Sequence, residues 1–170
     1  MIYSLPLHNS YFRLAALLWM LLVVQLATAQ NGRKERMQMF YDSIHAYEIA
    51  EPKTVLAIAI VETGWMECQK CHFKKNNLFG FRTGKGYMHF DNLSACLAYK
   101  KEWQERFYTP WKTKHPNGTY YQFLTHKQYA ANMSSYLKNI KWIEKWIDKN
   151  LVANFGTQLK INVSEKDTTE

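Results

Sequence analysis

Apolar residues recur along most of this chain at the three- and four-residue spacing of amphipathic helices. The first predicted helix, over residues 35–50, carries four apolar residues at that spacing: Met39, Phe40, Ile44 and Tyr47. Pro52 suits the first turn of a second helix, which we expect over residues 53 to about 66. Because the second helix is apolar on nearly every face, it should lie buried at the centre of the fold.

A glycine-rich loop and a third helix follow. Three glycines punctuate residues 76–89, which predicts a loop or a small hairpin. Asp91 or Asn92 can cap a helix that runs through about residue 107. Its predicted apolar stripe consists of Cys96, Tyr99, Trp103 and Phe107.

The last part of the chain contains a turn and a final helix. Residues 115–118 have the composition of a turn, and helical spacing resumes from Lys127. The final amphipathic helix is marked by Ile140, Ile143 and Ile147. Residues 164–170 form a polar tail that we expect to fray. The chain is therefore predicted to be mainly α, with a small loop or hairpin lobe.

The first 29 residues have the pattern of a secretory signal peptide. Residues 14–27 are an almost continuous apolar run, and residues 27–29 form a small-x-small cleavage pattern. The run is shorter than the ~20 apolar residues of a transmembrane helix, and no second run could span a bilayer. We expect cleavage before Gln30 and a periplasmic or secreted domain over residues 30–163. An uncleaved signal anchor is the alternative.

Charge narrows the partners only partly. The chain carries a formal net charge of +8 at neutral pH, and 15% of its residues are aromatic, enough for a real core. A basic secreted protein meets anionic partners such as bacterial wall polymers, acidic glycans, membrane surfaces or nucleic acid. Since no basic block interleaved with aromatics forms a recognisable nucleic-acid motif, we expect no nucleic-acid partner.

The three cysteines are compatible with a disulfide, a haem site or a zinc site. Cys68, Cys71 and Cys96 allow one disulfide and one remaining thiol in an oxidising compartment. The first two, with His72, also match the C-x-x-C-H pattern of covalent haem attachment. The basic, polar residues 73–77 that follow do not suit a haem pocket, and the second half of a paired zinc spacing is missing. We expect Cys68 and Cys71 to stabilise the loop between Trp65 and Asn76, and we predict no metal and no cofactor.

Glu62 is the residue with the clearest chemical meaning. The apolar run over residues 55–61 ends on this single carboxylate, and Trp65 follows three residues later. A buried acid is costly, which makes it typical of functional sites. At the end of a buried helix and beside an aromatic ring, it suits a general acid that donates a proton to a glycosidic oxygen. The alternative is a helix-terminal Glu that reaches solvent or caps a loop.

Two segments in this order carry a resemblance to a known family: residues 60–65, IVETGW, and residues 76–82, NNLFGFR. The pair resembles the signature of the bacterial endo-β-N-acetylglucosaminidases, the peptidoglycan-cleaving enzymes of glycoside hydrolase family seventy-three in the lysozyme superfamily. Residues 87–94, YMHFDNLS, are similar to the family's aromatic-Asp-x-x-Ser stretch, and Tyr129-Ala130 is similar to the Tyr-Ala pair before its last helices. The resemblance covers about residues 53–137.

The resemblance implies a lysozyme-like helical domain that hydrolyses the β-1,4 bond after N-acetylglucosamine. It makes Glu62 the general acid and Tyr129 the active-site tyrosine. It implies a substrate-binding cleft wall that includes Asn77, Phe79, Gly80 and Phe81. Trp65, three residues after Glu62, is expected to add a low-dielectric wall or a sugar-stacking face. The two phenylalanines are alternatively plain core, and Tyr129 is alternatively a packing residue.

The chain also departs from the family pattern. Members often carry a second acid in the hairpin, whereas residues 82–90 contain no Asp or Glu. Asp91 is the nearest candidate and Glu67 is another, but we expect Asp91 to be the cap of the following helix. Residues 131–132, Ala-Asn, replace the usual Thr-Asp after Tyr129. A mechanism in which the substrate's own N-acetyl group assists needs only one acid and fits this sequence better.

We therefore expect a monomeric peptidoglycan hydrolase that acts on glycan strands in the periplasm or outside the cell. One alternative is a catalytically inactive glycan-binding or scaffold domain of the same fold. The other is a small c-type haem protein.

Overall fold

The structure is a computed structural model that describes residues 8–152, apart from the side chains of residues 8–14 and 21–30. Its elements, in chain order, are α1 (His8–Ala46), α2 (Pro52–Thr63), a short 3-10 helix (His72–Lys75), β1 (Arg82–Thr83), β2 (Gly86–Tyr87), α3 (Leu93–Lys114), α4 (Tyr120–His126) and α5 (Met133–Asn150). The mainly α prediction is confirmed. The predicted polar tail lies outside the described residues.

The chain divides into two compact units, residues 1–37 and residues 38–170. In the first unit, the apolar side chains at residues 17–20 are exposed. Within the described residues, no helix has the length and apolar character needed to cross a membrane. Residues 1–7 and the side chains around the predicted cleavage site lie outside the described part of the chain, so the signal peptide stays a prediction.

In the second unit, α1 ends four residues earlier than expected. Its last turn closes because Glu48 takes a left-handed φ of 54° and its backbone N–H bonds to the carbonyl of His45 at 2.8 Å. The predicted face is confirmed in part. Phe40 and Ile44 are buried and Tyr47 is half-buried, whereas Met39 is exposed and the unpredicted Tyr41 is buried.

Helix α2 is the buried centre of this unit, as predicted. Every side chain over residues 54–60 is buried, and Pro52 occupies the first turn. The helix ends at Thr63 and not near residue 66, because Gly64 takes a left-handed φ of +55° and bonds back to the carbonyl of Ile60. The chain therefore leaves the helix immediately after Glu62 and Thr63.

A buried carboxylate ties α2 to the last two helices. Glu144 on α5 accepts a hydrogen bond from the hydroxyl of Thr54 at 2.6 Å and another from the hydroxyl of Tyr121 on α4. The stripe of α5 that was predicted is buried, namely Ile140, Ile143 and Ile147. Helix α4 was not predicted, although Thr119 and Gln122 form the capping box that marks its start.

The cap of α3 is Asn92, so the expectation that Asp91 caps this helix is wrong. The Asn92 side chain accepts a hydrogen bond from the backbone N–H of Ala95 at 2.8 Å, while Asp91 lies one residue too early and is exposed. The hairpin is confirmed: β1 pairs antiparallel with β2, Arg82 opposite Tyr87. The predicted turn at residues 115–118 is also present, after α3 has continued past Pro110 to Lys114.

The buried stripe of α3 contains a lysine that the predicted stripe omitted. The Lys100 side chain is completely buried, and its ammonium group has no hydrogen-bond partner. Four rings surround the Nζ atom at 4.5–5.8 Å from their centroids: Trp103, Phe79, Tyr129 and Phe81. Burial lowers the pKa of Lys100 to about 7, because the charged form is poorly solvated there.

Lys100→Met should therefore stabilise the protein at neutral pH and remove part of its pH dependence. An unfolded lysine keeps its proton up to about pH 10.4, whereas folded Lys100 loses it near pH 7, so its penalty fades as the pH rises between these values. The free energy of unfolding of the wild type, relative to Lys100→Met, should rise by as much as roughly 5 kcal/mol over that window, which covers about 3.4 pH units at about 1.4 kcal/mol each. Urea titrations at several pH values measure it.

The matched control is Lys101→Met, because Lys101 is the next residue on α3 but lies outside the ring cluster and pairs with Glu48 at 3.1 Å. Its difference from the wild type should stay nearly constant with pH. A Lys100→Met difference that is equally flat would contradict the assignment of a depressed pKa to Lys100.

Candidate active site

Glu62 lies on the last turn of α2, where the buried helix first meets solvent, and 23% of its side chain is exposed. Its two carboxylate oxygens have different partners. The hydroxyl of Tyr136 on α5 donates to Oε1 at 2.8 Å, and the Nε2 atom of His72 lies 3.5 Å from Oε2. The carboxylate is therefore oriented by two groups while remaining within reach of a ligand.

The tautomer of His72 follows from its other nitrogen. Nδ1 lies 2.7 Å from the backbone carbonyl of Asn77, and a carbonyl can only accept a hydrogen bond. Nδ1 therefore keeps its proton, and Nε2, the atom that faces Glu62, is the one that titrates. Any proton that passes between the His72 imidazole and the Glu62 carboxylate therefore moves through Nε2.

Glu62 also controls the charge of this histidine. The pKa of His72 is raised, first because its ring hydrogen-bonds to Glu62, with help from the bond to Asn77 and against the opposing effect of burial. The protonated imidazole is stabilised by the carboxylate beside it. The ring is buried and its centroid lies 4.8 Å from that of Tyr87, which covers it from the hairpin.

Asn77 is the residue that holds the loop in place around this pair. Its side chain is completely buried. Its amide group donates to the carbonyls of Phe81 at 2.8 Å and Met88 at 3.1 Å, and its oxygen accepts from the N–H of Phe81 at 3.0 Å. Because these bonds use the amide fully, Asn77 acts as a scaffold for the loop. Its predicted contact with substrate stays a prediction.

Gly80 brings the backbone of this loop against the carboxylate. Its φ is +65°, and a Cβ atom built there would lie 2.8 Å from Oε2 of Glu62 and 3.4 Å from Nε2 of His72. Any side chain at this position would push into the His72–Glu62 pair. Of the predicted cleft residues, Gly80 is the one that the structure places in direct contact with Glu62.

Three other predicted cleft residues belong to clusters of aromatic rings. Phe79 and Phe81 are buried and form part of the ring cluster around Lys100, which agrees with the core alternative. Trp65 is half-buried, and its ring packs edge-to-face against Trp146 and Trp142 of α5 at centroid distances of 4.8 and 6.4 Å. Trp142 itself is 62% exposed, so this tryptophan cluster opens to solvent.

Two tyrosines, Tyr129 and Tyr136, lie near the carboxylate, and only Tyr129 was predicted as a site residue. Tyr129 donates to the backbone carbonyl of Phe79 at 3.0 Å, so it supports the residue next to Gly80. The tyrosine that hydrogen-bonds to Glu62 is Tyr136, and the two rings lie 5.9 Å apart. Burial, with a smaller contribution from the charge of Glu62, raises the pKa of Tyr129 well above its usual value, so it stays a donor at neutral pH.

Within the described residues, no hydrogen bond or ion pair joins Asp91, the first candidate for a second acid, to Glu62. Asp91 is exposed at the end of the hairpin lobe, where its backbone carbonyl accepts a hydrogen bond from the side chain of Asn76 at 3.1 Å. Glu67 is exposed in the turn after α2. The polar groups that the structure places on Glu62 are a phenol and an imidazole.

The C-x-x-C-H segment is used differently from a haem site. Both ring nitrogens of His72 face protein groups, Asn77 on one side and Glu62 on the other, which leaves neither turned toward an iron. The three cysteines are free thiols. Within the described residues, no group of three or more His, Cys, Asp or Glu side chains is arranged to hold a metal ion.

Three residues of the site escaped the sequence reasoning. The sequence pattern suggested His72 only as a haem or zinc ligand, and it singled out neither Tyr136 nor Lys100. Tyr136 lies one helical turn before Ile140 on the buried stripe of α5, and that spacing is the signal that could have drawn attention to it. No local pattern marks the other two, because their environment is made by distant segments.

A separate surface cavity of about 540 Å³ lies where α3 turns into α4. It is lined by Trp111, His115, Pro116, Asn117, Gly118, Gln122 and His126. It shares no residue with the surroundings of Glu62 and brings no carboxylate, so it does not offer the chemistry of an acid-catalysed cleavage site.

Comparison of the chain with protein-family models, with curated proteins and with solved structures gave no match. The resemblance to glucosaminidases therefore depends on the motifs themselves, and the function of the site is a matter for proposal.

Replacing the carboxylate should lower the pKa of His72. In Glu62→Gln the main stabilising partner of the protonated ring is lost, while burial continues to favour the neutral ring. The pKa of His72, measured from its ring signals in an NMR titration, should fall below that of the wild type. Asp91→Asn removes an exposed acid and should leave it unchanged; an unaltered His72 titration in Glu62→Gln would refute the pairing.

Gly80→Ala should disturb the pair and destabilise the fold more than Gly64→Ala. Both glycines have a left-handed φ, +65° and +55°, so both variants bear backbone strain of ~1–3 kcal/mol. At Gly64 the nearest atom to the new Cβ lies 3.9 Å away, whereas at Gly80 it lies 2.8 Å away. Equal losses in the free energy of unfolding, measured with urea, would show that the contact with Glu62 does not matter.

Proposed function

We propose that this protein is a peptidoglycan hydrolase of the glucosaminidase type, with Glu62 as its general acid. The observation that carries the proposal is the position of Glu62, a partly exposed carboxylate at the end of a buried helix, oriented by Tyr136 and His72. Its place within the IVETGW motif, with NNLFGFR folded against it through Gly80, is what the resemblance requires. A lysozyme-like architecture of the helical unit belongs to the same proposal.

The mechanism begins with a proton that passes between His72 and Glu62. Because Nδ1 of His72 is committed to Asn77, the proton that moves is the one between Nε2 and Oε2. When it resides on Glu62, the acid can donate it to the oxygen of the scissile glycosidic bond. The hydrogen bond from Tyr136 holds the other oxygen and so fixes the direction in which the carboxyl group points.

One carboxylate is enough for the reaction that we propose. The acetamido group of N-acetylglucosamine supplies its own carbonyl oxygen to the developing oxocarbenium centre, so no second acid is needed as a nucleophile. Water then completes hydrolysis, with the deprotonated Glu62 acting as base. This scheme agrees with the two partner groups that the structure places on Glu62, a phenol and an imidazole, neither of which is a carboxylate.

The same proposal places the protein in the periplasm or outside the cell, as a monomer without a cofactor and without a nucleic-acid partner. Its partner is the glycan strand of peptidoglycan. The positive net charge suits an anionic wall polymer. The tryptophan cluster of Trp65, Trp142 and Trp146 offers flat rings on which sugar faces can stack, at the surface and after the end of α2.

The exposed tryptophan cluster also favours a second candidate function. A protein that binds glycan through Trp142 and Trp65 needs no acid, so a non-catalytic glycan-binding or scaffold domain would use the same surface. The two functions differ in one measurable respect, since only the enzyme releases soluble fragments from the wall.

Glu62→Gln should abolish cleavage of purified sacculi while leaving the fold intact. Glutamine has nearly the same shape but cannot donate the proton, and loss of a general acid costs roughly 10²–10⁴-fold in rate. Release of soluble reducing ends measures cleavage, and melting curves check folding. Asp91→Asn is the control and should keep wild-type turnover.

Three results would contradict parts of this proposal. A folded Glu62→Gln protein with full activity would remove Glu62 from the mechanism, and an inactive but folded Asp91→Asn protein would restore a two-acid scheme. Wild-type protein that binds sacculi, loses that binding in Trp142→Ala and releases no fragments would favour the non-catalytic function.

A further inference from the structure

The C-x-x-C segment is left without a role by the proposed function, although it lies between the two motifs that form the site. Cys68 and Cys71 occupy one turn between the end of α2 and the 3-10 helix, and both thiols are partly exposed. The Cys71 thiol donates a hydrogen bond to the backbone carbonyl of Cys68 at 3.8 Å. The chain between the two cysteines is therefore folded back on itself, with both thiols partly exposed.

The two thiols are chemically unequal. The pKa of Cys68 is lowered, first by the hydrogen bond from Cys71 and in smaller part by neighbouring backbone N–H groups and His72. Burial and the same thiol pair raise the pKa of Cys71. A partly exposed thiol whose pKa is lowered, on the same turn as a thiol whose pKa is raised, is the arrangement of an attacking and a resolving thiol.

The third cysteine provides the contrast within the same chain. Cys96 is completely buried on α3, and its sulfur accepts a hydrogen bond from the backbone N–H of Leu78 at 3.3 Å. Burial raises its pKa to about 11, so it is a poor nucleophile. Reactivity toward disulfides should therefore be confined to the exposed pair.

The turn also leads directly into the candidate active site. Cys71 is the residue before the 3-10 helix, and His72 is the first residue of that helix. A covalent bond from Cys71 back to Cys68 would anchor the chain immediately before the imidazole that faces Glu62. The state of the two sulfurs is thereby coupled, through one peptide unit, to the hydrogen bonds of His72.

We propose that Cys68 and Cys71 form a reversible dithiol–disulfide site, and that its disulfide clamps the turn that holds His72 against Glu62. The clamp concerns the geometry of His72 and does not depend on the glycosidase activity proposed above. The oxidant is a second molecule that carries an accessible disulfide, as proteins and small thiols in an oxidising compartment do.

The exchange balances as follows. The Cys68 thiolate attacks one sulfur of the oxidant R–S–S–R, forms a mixed disulfide and releases one RS⁻, which takes up a proton. Cys71, once deprotonated, attacks the Cys68 sulfur, forms the Cys68–Cys71 bond and releases the second RS⁻. Two electrons pass from the two cysteine thiols to the oxidant, and two RSH molecules are produced.

The test is to incubate the reduced full chain with oxidised glutathione and to determine the mass and the alkylatable thiols. We expect a loss of about 2 Da, the mass of two hydrogens, and a bond between Cys68 and Cys71 in the peptide map. Cys96 should react with the alkylating agent only after denaturation. Failure to form this bond, or a bond that includes Cys96, would overturn the proposal.

Single variants test the assigned order of attack. Cys71→Ser keeps the attacking thiol and should accumulate a mixed disulfide with glutathione at Cys68, roughly tenfold faster than Cys68→Ser does at Cys71. Cys96→Ala, checked for folding by its melting curve, should oxidise like the wild type. Equal rates in the two serine variants would overturn the assignment of Cys68 as the attacking thiol.

The clamp itself is measured on His72. The proton on Nδ1 is protected from solvent while its bond to the Asn77 carbonyl stays closed. Its exchange, followed by NMR, should be slower in the oxidised wild type than in the reduced one, and glutathione should have no such effect on the Cys68→Ser/Cys71→Ser double variant. Exchange that does not change when the disulfide forms would overturn the clamp, whatever the outcome of the sacculus assay.

Discussion

The burial of α2 on every side is the constraint on which the rest of the unit depends. A helix without a polar face can be stable in water only if other segments cover it completely, and all side chains over residues 54–60 are covered. Thr54, the polar side chain within these residues, must therefore be satisfied from outside, and it donates to Glu144 on α5. The covering becomes incomplete at Val61 and Glu62, and this places the Glu62 carboxylate where the core meets solvent.

The loop between α2 and α3 is organised by two buried polar side chains. The side-chain amide of Asn77 makes hydrogen bonds to backbone groups of the loop that regular secondary structure would otherwise satisfy. It can therefore hold a sharp turn in which Gly80 approaches the carboxylate. Lys100 packs against the same loop through the ring of Phe79. Aromatic faces there take the place of the hydrogen bonds that its ammonium group lacks. A desolvated amine costs stability, which the surrounding rings offset only in part.

Charge in the site is arranged around one carboxylate. His72 is the only base that the structure places on it within the described residues, and the carboxylate stabilises the protonated form of the imidazole. The phenol of Tyr136 fixes orientation without adding charge at neutral pH, because burial raises its pKa. The thiol pair lies on the chain just before His72, so the proposed dithiol–disulfide site is adjacent in sequence to the imidazole that faces Glu62.

Sequence by itself determined the elements whose signals are local. The buried α2 with Pro52 in its first turn, the hairpin lobe and the stripe of α5 follow from composition and spacing over a few residues, and Glu62 stands out because it interrupts an apolar run. The exact ends of α1 and α2 did not follow, since left-handed residues such as Glu48 set them.

Only the tertiary structure decided which groups meet. The bond from Tyr136 to Glu62 spans 74 residues, Gly80 reaches Glu62 from another loop, and the cage of Lys100 draws rings from three segments of the chain. Sequence alone predicts that a charged residue such as Lys100 is exposed. It also makes Asp91 as plausible a helix cap as Asn92. Packing between distant segments determines burial, and burial determines hydrogen bonding and pKa, so these properties are invisible until the chain is folded.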